Sequence, residues 1–167
     1  LNESVDCYKK ATQLKPNYAE AYNNLGVILR DLGKINESEN NYLKAIKLEP
    51  NYAVGYYNLG VTLRELGKLY DSEASYREAI KLKPNYSEAY NNLGIVLREL
   101  GELDDSEATF KKAIALKPNY ADAYHNLSFT LLQKSDFKQA FELYEWRWKT
   151  EGENEKKTSF IQTYLER

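Results

Sequence analysis

The sequence predicts an all-α solenoid built from antiparallel helix hairpins, and three observations predict it. The 167 residues contain only four prolines, Pro16, Pro50, Pro84 and Pro118, each 34 positions after the one before. Gly33, Gly67 and Gly101 keep the same interval. Between these marks apolar residues recur at spacings of three and four, the period of a helix that buries one face. A fixed period of about 20–50 residues marks an array in which each unit packs on its neighbours, so no central core closes.

Residues 1–18 read as the end of a truncated unit, with a second helix over 1–14 whose apolar side carries Val5, Tyr8, Ala11 and Leu14. Four units follow, 19–52, 53–86, 87–120 and 121–154, the last divergent. Each opens after a Pro-Asn-Tyr segment. The proline stops the preceding helix, and Asn17, Asn51, Asn85 and Asn119 suit the N-cap of the next. Three residues on, Glu20, Glu88 and Asp122 favour the positive helix end, the two glutamates completing a capping-box pattern; Val54 is the exception. The first helix of a unit runs about 14 residues to Gly33, Gly67 or Gly101, where a left-handed C-cap is wanted, with Ser135 in unit four. A second helix follows, with Asn36…Glu39 and Asp104…Glu107 as further capping boxes.

The apolar stripes are Tyr22, Leu25, Leu29 and Leu32 on the first helix and Ile35, Tyr42, Ala45 and Ile46 on the second. Gly26, Gly60 and Gly94 sit inside first helices, where glycine costs roughly 0.5–1 kcal/mol against alanine. Repetition of that cost points to close helix packing, as do Ser38, Ser72 and Ser106 and Ala45, Ala79 and Ala113 opposite.

Composition excludes several function classes. With 23 basic and 25 acidic residues the net charge is −2, which leaves no positive field for nucleic acid or an anionic membrane. No apolar run approaches the roughly 20 residues of a membrane span. Cys7 is the only cysteine and His125 the only histidine, so neither an internal disulfide nor a Cys/His zinc site can be assembled; no cofactor is expected, and the compartment reads as reducing and cytoplasmic. No nucleophile–base pair, phosphate-cradling loop or metal set is visible, so catalysis by this segment is not expected. The chain starts at Leu1 and has no methionine, which reads as a piece of a longer protein with upstream repeats.

These residues resemble the tetratricopeptide repeat family. The pattern is Tyr22, Leu25, Gly26, Leu29, Ser38, Tyr42, Ala45 and Pro50, repeated as Tyr56, Leu59, Gly60, Leu63, Ser72, Tyr76, Ala79 and Pro84. Unit three has Phe110 at the second aromatic position. Unit four departs most, with Ser128 for glycine, Arg147 for alanine and Gly152 for proline. The resemblance implies a right-handed superhelix whose first helices line a concave groove that binds other proteins. Within the family, Tyr22-Asn23-Asn24-Leu25-Gly26 looks most like the repeats of O-linked N-acetylglucosamine transferases and related bacterial proteins, in which an asparagine ladder holds an extended peptide. The matching residues are Asn24, Asn58, Asn92 and Asn126. Family members that clamp acidic chaperone tails have Lys and Asn where Asn23 and Val27 stand, so that role is not implied.

A carboxamide offers a donor and an acceptor to a peptide backbone and is indifferent to its side chains. The alternative is that these asparagines bond to neighbouring helix backbone or face water. Asparagine is a mediocre helix former that nonetheless fills every ladder site, which favours the ladder. Arg30, Arg64 and Arg98 form a second row, each followed by an acid, and unit four breaks it with Leu132 and Gln133. This row is either a contact for acidic side chains or a peptide carboxylate, or helix-dipole complementation with surface pairing.

Asn23, Tyr57, Asn91 and His125 share one position expected to face the groove, Tyr57 being a candidate anchor and His125 a surface or packing residue rather than a catalyst. Val27, Val61, Ile95 and Phe129 line an apolar floor or are shielded by the next unit. Tyr18, Tyr52, Tyr86 and Tyr120, with the other repeat tyrosines, read as core or hairpin packing.

At the C-terminal end Trp148 takes a core position and Trp146 has no obvious burial site. Residues 155–167 read as a capping helix or the link to a further domain, with Phe160, Ile161, Tyr164 and Leu165 on one face. The open solenoid ends are candidates for self-association. The functional expectation is a non-catalytic scaffold for an extended peptide or partner protein, or alternatively the substrate-recruiting region of a larger glycosyltransferase or other transferase.

Overall fold

The computed structural model describes the backbone of residues 2–150 and the side chains of residues 5–144. Trp146, Trp148 and the segment 155–167 lie outside what it describes in side-chain detail. The described residues form α1 (Asn2–Leu14), α2 (Ala19–Asp31), α3 (Ile35–Leu48), α4 (Ala53–Glu65), α5 (Leu69–Leu82), α6 (Ser87–Glu99), α7 (Leu103–Leu116), α8 (Ala121–Gln133) and α9 (Phe137–Thr150). The pairs α2/α3, α4/α5, α6/α7 and α8/α9 are hairpins, and each hairpin packs on the next through α3/α4, α5/α6 and α7/α8. In addition α2, α4, α6 and α8 touch in succession while, among the described residues, the second helices make no comparable contact, which puts the first helices on the inside of the curve.

First helices stop as expected. Gly33, Gly67 and Gly101 have φ of 73°, 72° and 85°, and Ser135 takes the same left-handed conformation at 63°. The following amides close the helix end, with Lys34 N–H donating to the Leu29 carbonyl at 2.8 Å and Lys68 N–H to that of Leu63 at 2.9 Å.

The starts differ from expectation. Asn17, Asn51, Asn85 and Asn119 are not the caps; that position is held by Tyr18, Tyr52, Tyr86 and Tyr120, with no side-chain cap bond. The reason is a tight turn. Tyr18 N–H donates to the Lys15 carbonyl at 3.1 Å and Tyr52 N–H to that of Glu49 at 3.1 Å, so Pro and Asn occupy the two central turn positions, which suit them. The second helices α3 and α7 likewise begin two residues early, after Lys34 and Glu102, which leaves Asn36 and Asp104 inside the first turn rather than capping it. Their supposed box partners turn elsewhere: Glu39 accepts from Lys68 at 2.7 Å. Where an acid does stand at the cap, Asp136 accepts from the Gln139 amide at 3.2 Å.

The mid-helix glycines have a specific neighbour. A Cβ on Gly26, Gly60 or Gly94 would lie 2.7–2.8 Å from the ring of Tyr42, Tyr76 or Phe110. On the same turn Ser38 Oγ donates to the Gly26 carbonyl at 2.7 Å, Ser72 to Gly60 at 2.7 Å and Ser106 to Gly94 at 2.8 Å. Each aromatic also carries the next interface, Tyr76 packing with Leu93, Val96 and Leu97, and Phe110 with Leu127 and Leu131.

Ion pairs stitch units on the outside. Lys134 reaches both Asp104 and Glu107, each at 2.5 Å, and Glu107 also accepts from Lys111. Hydrogen bonds from Lys111 and Lys134 hold the Glu107 carboxyl below its ordinary value of 4.5. Ionised Glu107 therefore favours the folded chain, a contribution present above that ordinary value and lost as pH falls through the lower folded one. Glu107→Gln is expected to reduce the acid-side slope of the thermal midpoint, measured by circular dichroism between about pH 5 and pH 2. An unchanged slope would exclude Glu107 as the titrating group.

Candidate functional site

The concave wall is built from side chains at fixed places on α2, α4, α6 and α8. The ladder asparagines Asn24, Asn58, Asn92 and Asn126 are half-buried there, while Asn23 and Asn91, one residue earlier, are only 4% and 5% exposed. The two sets are hydrogen-bonded into directional relays. In the first, Asn58 Nδ2 donates to Asn23 Oδ1 at 2.9 Å, Asn23 Nδ2 to Asn24 Oδ1 at 3.3 Å, and Asn24 Nδ2 to Tyr8 Oη at 3.5 Å. In the second, Asn126 Nδ2 donates to Asn91 Oδ1 at 3.0 Å, Asn91 Nδ2 to Asn92 Oδ1 at 3.3 Å, and Asn92 Nδ2 to Tyr57 Oη at 3.2 Å.

Every donor that crosses from one unit to another points toward the N-terminal end. Asn58 and Asn126 thus terminate the relays with an Oδ1 that accepts no hydrogen bond among the described residues and a second N–H to offer. Hydrogen bonding along a chain polarises its members, so the terminal carboxamides are strengthened as hydrogen-bonding groups and held in one orientation.

Tyr57 is half-buried between rings, 4.9 Å from Tyr86 and 5.9 Å from Tyr76. Burial raises its phenol above the ordinary value, and pushes those of Tyr86 and Tyr120 up to about 12. These phenols are neutral donors at physiological pH. Tyr86, at the cap of α6, thus packs its ring on Tyr57 of α4. His125 packs edge-on against Phe129 at 4.8 Å. Val27, Val61 and Ile95 are partly buried against the core clusters of the units, whereas Phe129 is 42% exposed.

The arginine row pairs across units. Arg64 chelates Glu99, Nε lying 3.1 and 3.0 Å from the two carboxylate oxygens and Nη2 2.5 Å from one of them. Arg30 approaches Glu65 and Asp31, each at 3.9 Å. Arg98 has Gln133 at the corresponding place, and its Nη1 donates instead to the main-chain carbonyl of Asn126 at 3.1 Å. The acids after the arginines were legible in sequence; that Glu65 and Glu99 serve the arginine of the preceding unit was not.

Family models described as "TPR repeat" match residues 1–29 and 26–67, and others described as "Tetratricopeptide repeat" match 57–121 and 109–142. No curated protein matches the sequence. Among solved structures, MamA is 26% identical with a TM-score of 0.83, over 89% of this chain and 86% of its own. YrrB, described as a TPR protein with an unusual peptide-binding site, is 24% identical with a TM-score of 0.77, over 92% and 80%. The first TPR of Spaghetti (RPAP3), bound to the HSP90 peptide SRMEEVD, is 22% identical with a TM-score of 0.69, over 70% and 93%. The last two likenesses bear on fold alone. No described helix is long and apolar enough to cross a membrane.

Proposed function

The chain belongs to the tetratricopeptide repeat family, and we propose that it is a non-catalytic, cytoplasmic scaffold that holds an extended peptide or partner segment along the wall formed by α2, α4, α6 and α8. The observation that carries this reading is the pair of asparagine relays. Carboxamides already bonded to one another are rigid, so little rotamer entropy is lost when a peptide backbone binds them. Asn58 and Asn126 are the contact points and Asn24 and Asn92 their supports. Asn23 and Asn91 lock the relays from below, and Tyr57 is a ring against which a ligand side chain packs. His125 and Phe129 extend the wall in unit four, and Arg30 and Arg64 border it with their charge already matched.

Joint replacement Asn58→Ala and Asn126→Ala tests this. A peptide selected on the wild-type chain from a random linear library is expected to lose at least about 10-fold in affinity, the loss of two good hydrogen bonds, while far-ultraviolet circular dichroism stays unchanged. Retained affinity in a folded double variant would sink the reading.

The string Tyr22-Asn23-Asn24-Leu25-Gly26 favours a second reading, in which the same wall recruits substrates for a glycosyltransferase or other transferase domain of a longer protein. Genomic sequence beyond codon 167 decides it, since a stop codon there would remove this reading and leave the first intact.

A further inference from the structure

We propose that Arg98 is the specificity site of the groove and takes a carboxylate from the bound peptide. This rests on the reading of the wall as a peptide site. The chain itself supplies the comparison. Arg30 and Arg64 each meet an acid 35 positions on, Glu65 and Glu99. The residue 35 positions after Arg98 is Gln133, which brings no charge. The neighbouring Glu99 carboxylate is held by Arg64.

Arg98 is therefore the member of the row that pairs with no carboxylate among the described residues, whereas Arg30 and Arg64 each have one within 3.9 Å. Its Nη1 hydrogen bond goes to the Asn126 carbonyl, which also accepts from Thr130 Oγ1 at 3.2 Å within α8. One bond to a shared carbonyl leaves most of the N–H donors of a guanidinium unused. The side chain is only partly exposed, and burial, with the like charge of Arg64 adding to it, holds its pKa below the ordinary arginine value against the opposing pull of Glu99. A guanidinium so placed gains more from an incoming anion than one free in water.

The ligand geometry is already present one unit earlier. Glu99 sits on Arg64 through both oxygens, and a ligand carboxylate would repeat that arrangement on Arg98. The surroundings add selectivity. The bond to Asn126 places the guanidinium beside a relay terminus, and Phe129, exposed by 42%, lies one turn further along α8 with Leu132 beyond it. The site accordingly fits an acidic residue adjoining a bulky apolar one, with the acid near the Asn126 end of the ladder. It also gives an otherwise sequence-indifferent groove a register, since a peptide can slide along equivalent asparagines but not past one unmatched charge.

The test is a selection of linear dodecapeptides on the wild-type chain and on R98Q, followed by affinities for the synthetic consensus peptide by fluorescence anisotropy. The wild-type consensus is expected to carry Asp or Glu at one fixed position. Changing that acid to its amide is expected to weaken binding about 10-fold on wild type and leave binding to R98Q unchanged. Amidating the peptide C-terminus separates the two carboxylate sources: unchanged affinity assigns a side chain, and the same loss assigns the chain terminus.

R98K, with a charge but no planar fork, should fall between wild type and R98Q. A consensus without an acid whose affinity is also unmoved by C-terminal amidation, or full affinity of R98Q for the consensus peptide, would overturn Arg98 as the site; the groove reading stands in that case if Asn58→Ala with Asn126→Ala still weakens binding. Enrichment of no peptide on any variant would overturn both.

Discussion

Replacing Gly60 by alanine is expected to destabilise the chain by about 1–3 kcal/mol, the usual cost of overpacking a core. The sign is the informative part. Helix propensity alone assigns this change a gain of up to about 1 kcal/mol, because Gly60 lies inside α4. Sterics oppose it, since the new methyl would lie 2.8, 2.9 and 3.0 Å from three ring atoms of Tyr76. That ring is 1% exposed and wedged against Leu93, Val96 and Leu97, so it cannot swing aside without disturbing the interface to the next hairpin. Urea denaturation followed by circular dichroism checks the outcome. A rise in the midpoint would mean that the α4/α5 approach is slack and that Gly60 has no packing role.

Tyr76→Ala is expected to cost more, about 3–5 kcal/mol, the range for removing a large buried aromatic side chain. The ring closes the α4/α5 hairpin against Gly60 and is at the same time part of the cluster that joins this unit to the next. Losing it therefore weakens two interfaces of a structure whose stability is a sum of unit and nearest-neighbour contributions. Tyr76→Phe should be mild, because Phe110 fills the same role on α7. Combining Gly60→Ala with Tyr76→Ala should cost less than the two changes added together, since the methyl then enters space the ring has left. Strict additivity in denaturation would show that the two groups do not press on each other.

Much of this architecture was legible because a repeat multiplies weak signals. One glycine inside a helix says little, but Gly26, Gly60 and Gly94 at one interval, each with Ser and an aromatic at fixed distances, specify a close crossing, and the rings of Tyr42, Tyr76 and Phe110 are found there. Hairpin boundaries followed from Pro and Gly for the same reason. Local capping was misread because Asn suits both an N-cap and a turn. The choice depends on whether the preceding carbonyl, such as that of Lys15, is free to accept the Tyr18 amide.

The candidate site divides along the same line. The sequence by itself determined that the chain is a stack of helix hairpins with asparagines and arginines in rows, because period, capping chemistry and apolar spacing act over distances of a few residues. Only the tertiary structure decided which partner each member of a row meets. Asn58 meets Asn23 and Asn126 meets Asn91 across units, whereas Asn92 meets Tyr57, and Arg64 is neutralised by Glu99 while Arg98 is not. These choices depend on the offset between adjacent first helices. Packing of the whole hairpins sets that offset, and no single 34-residue unit contains it.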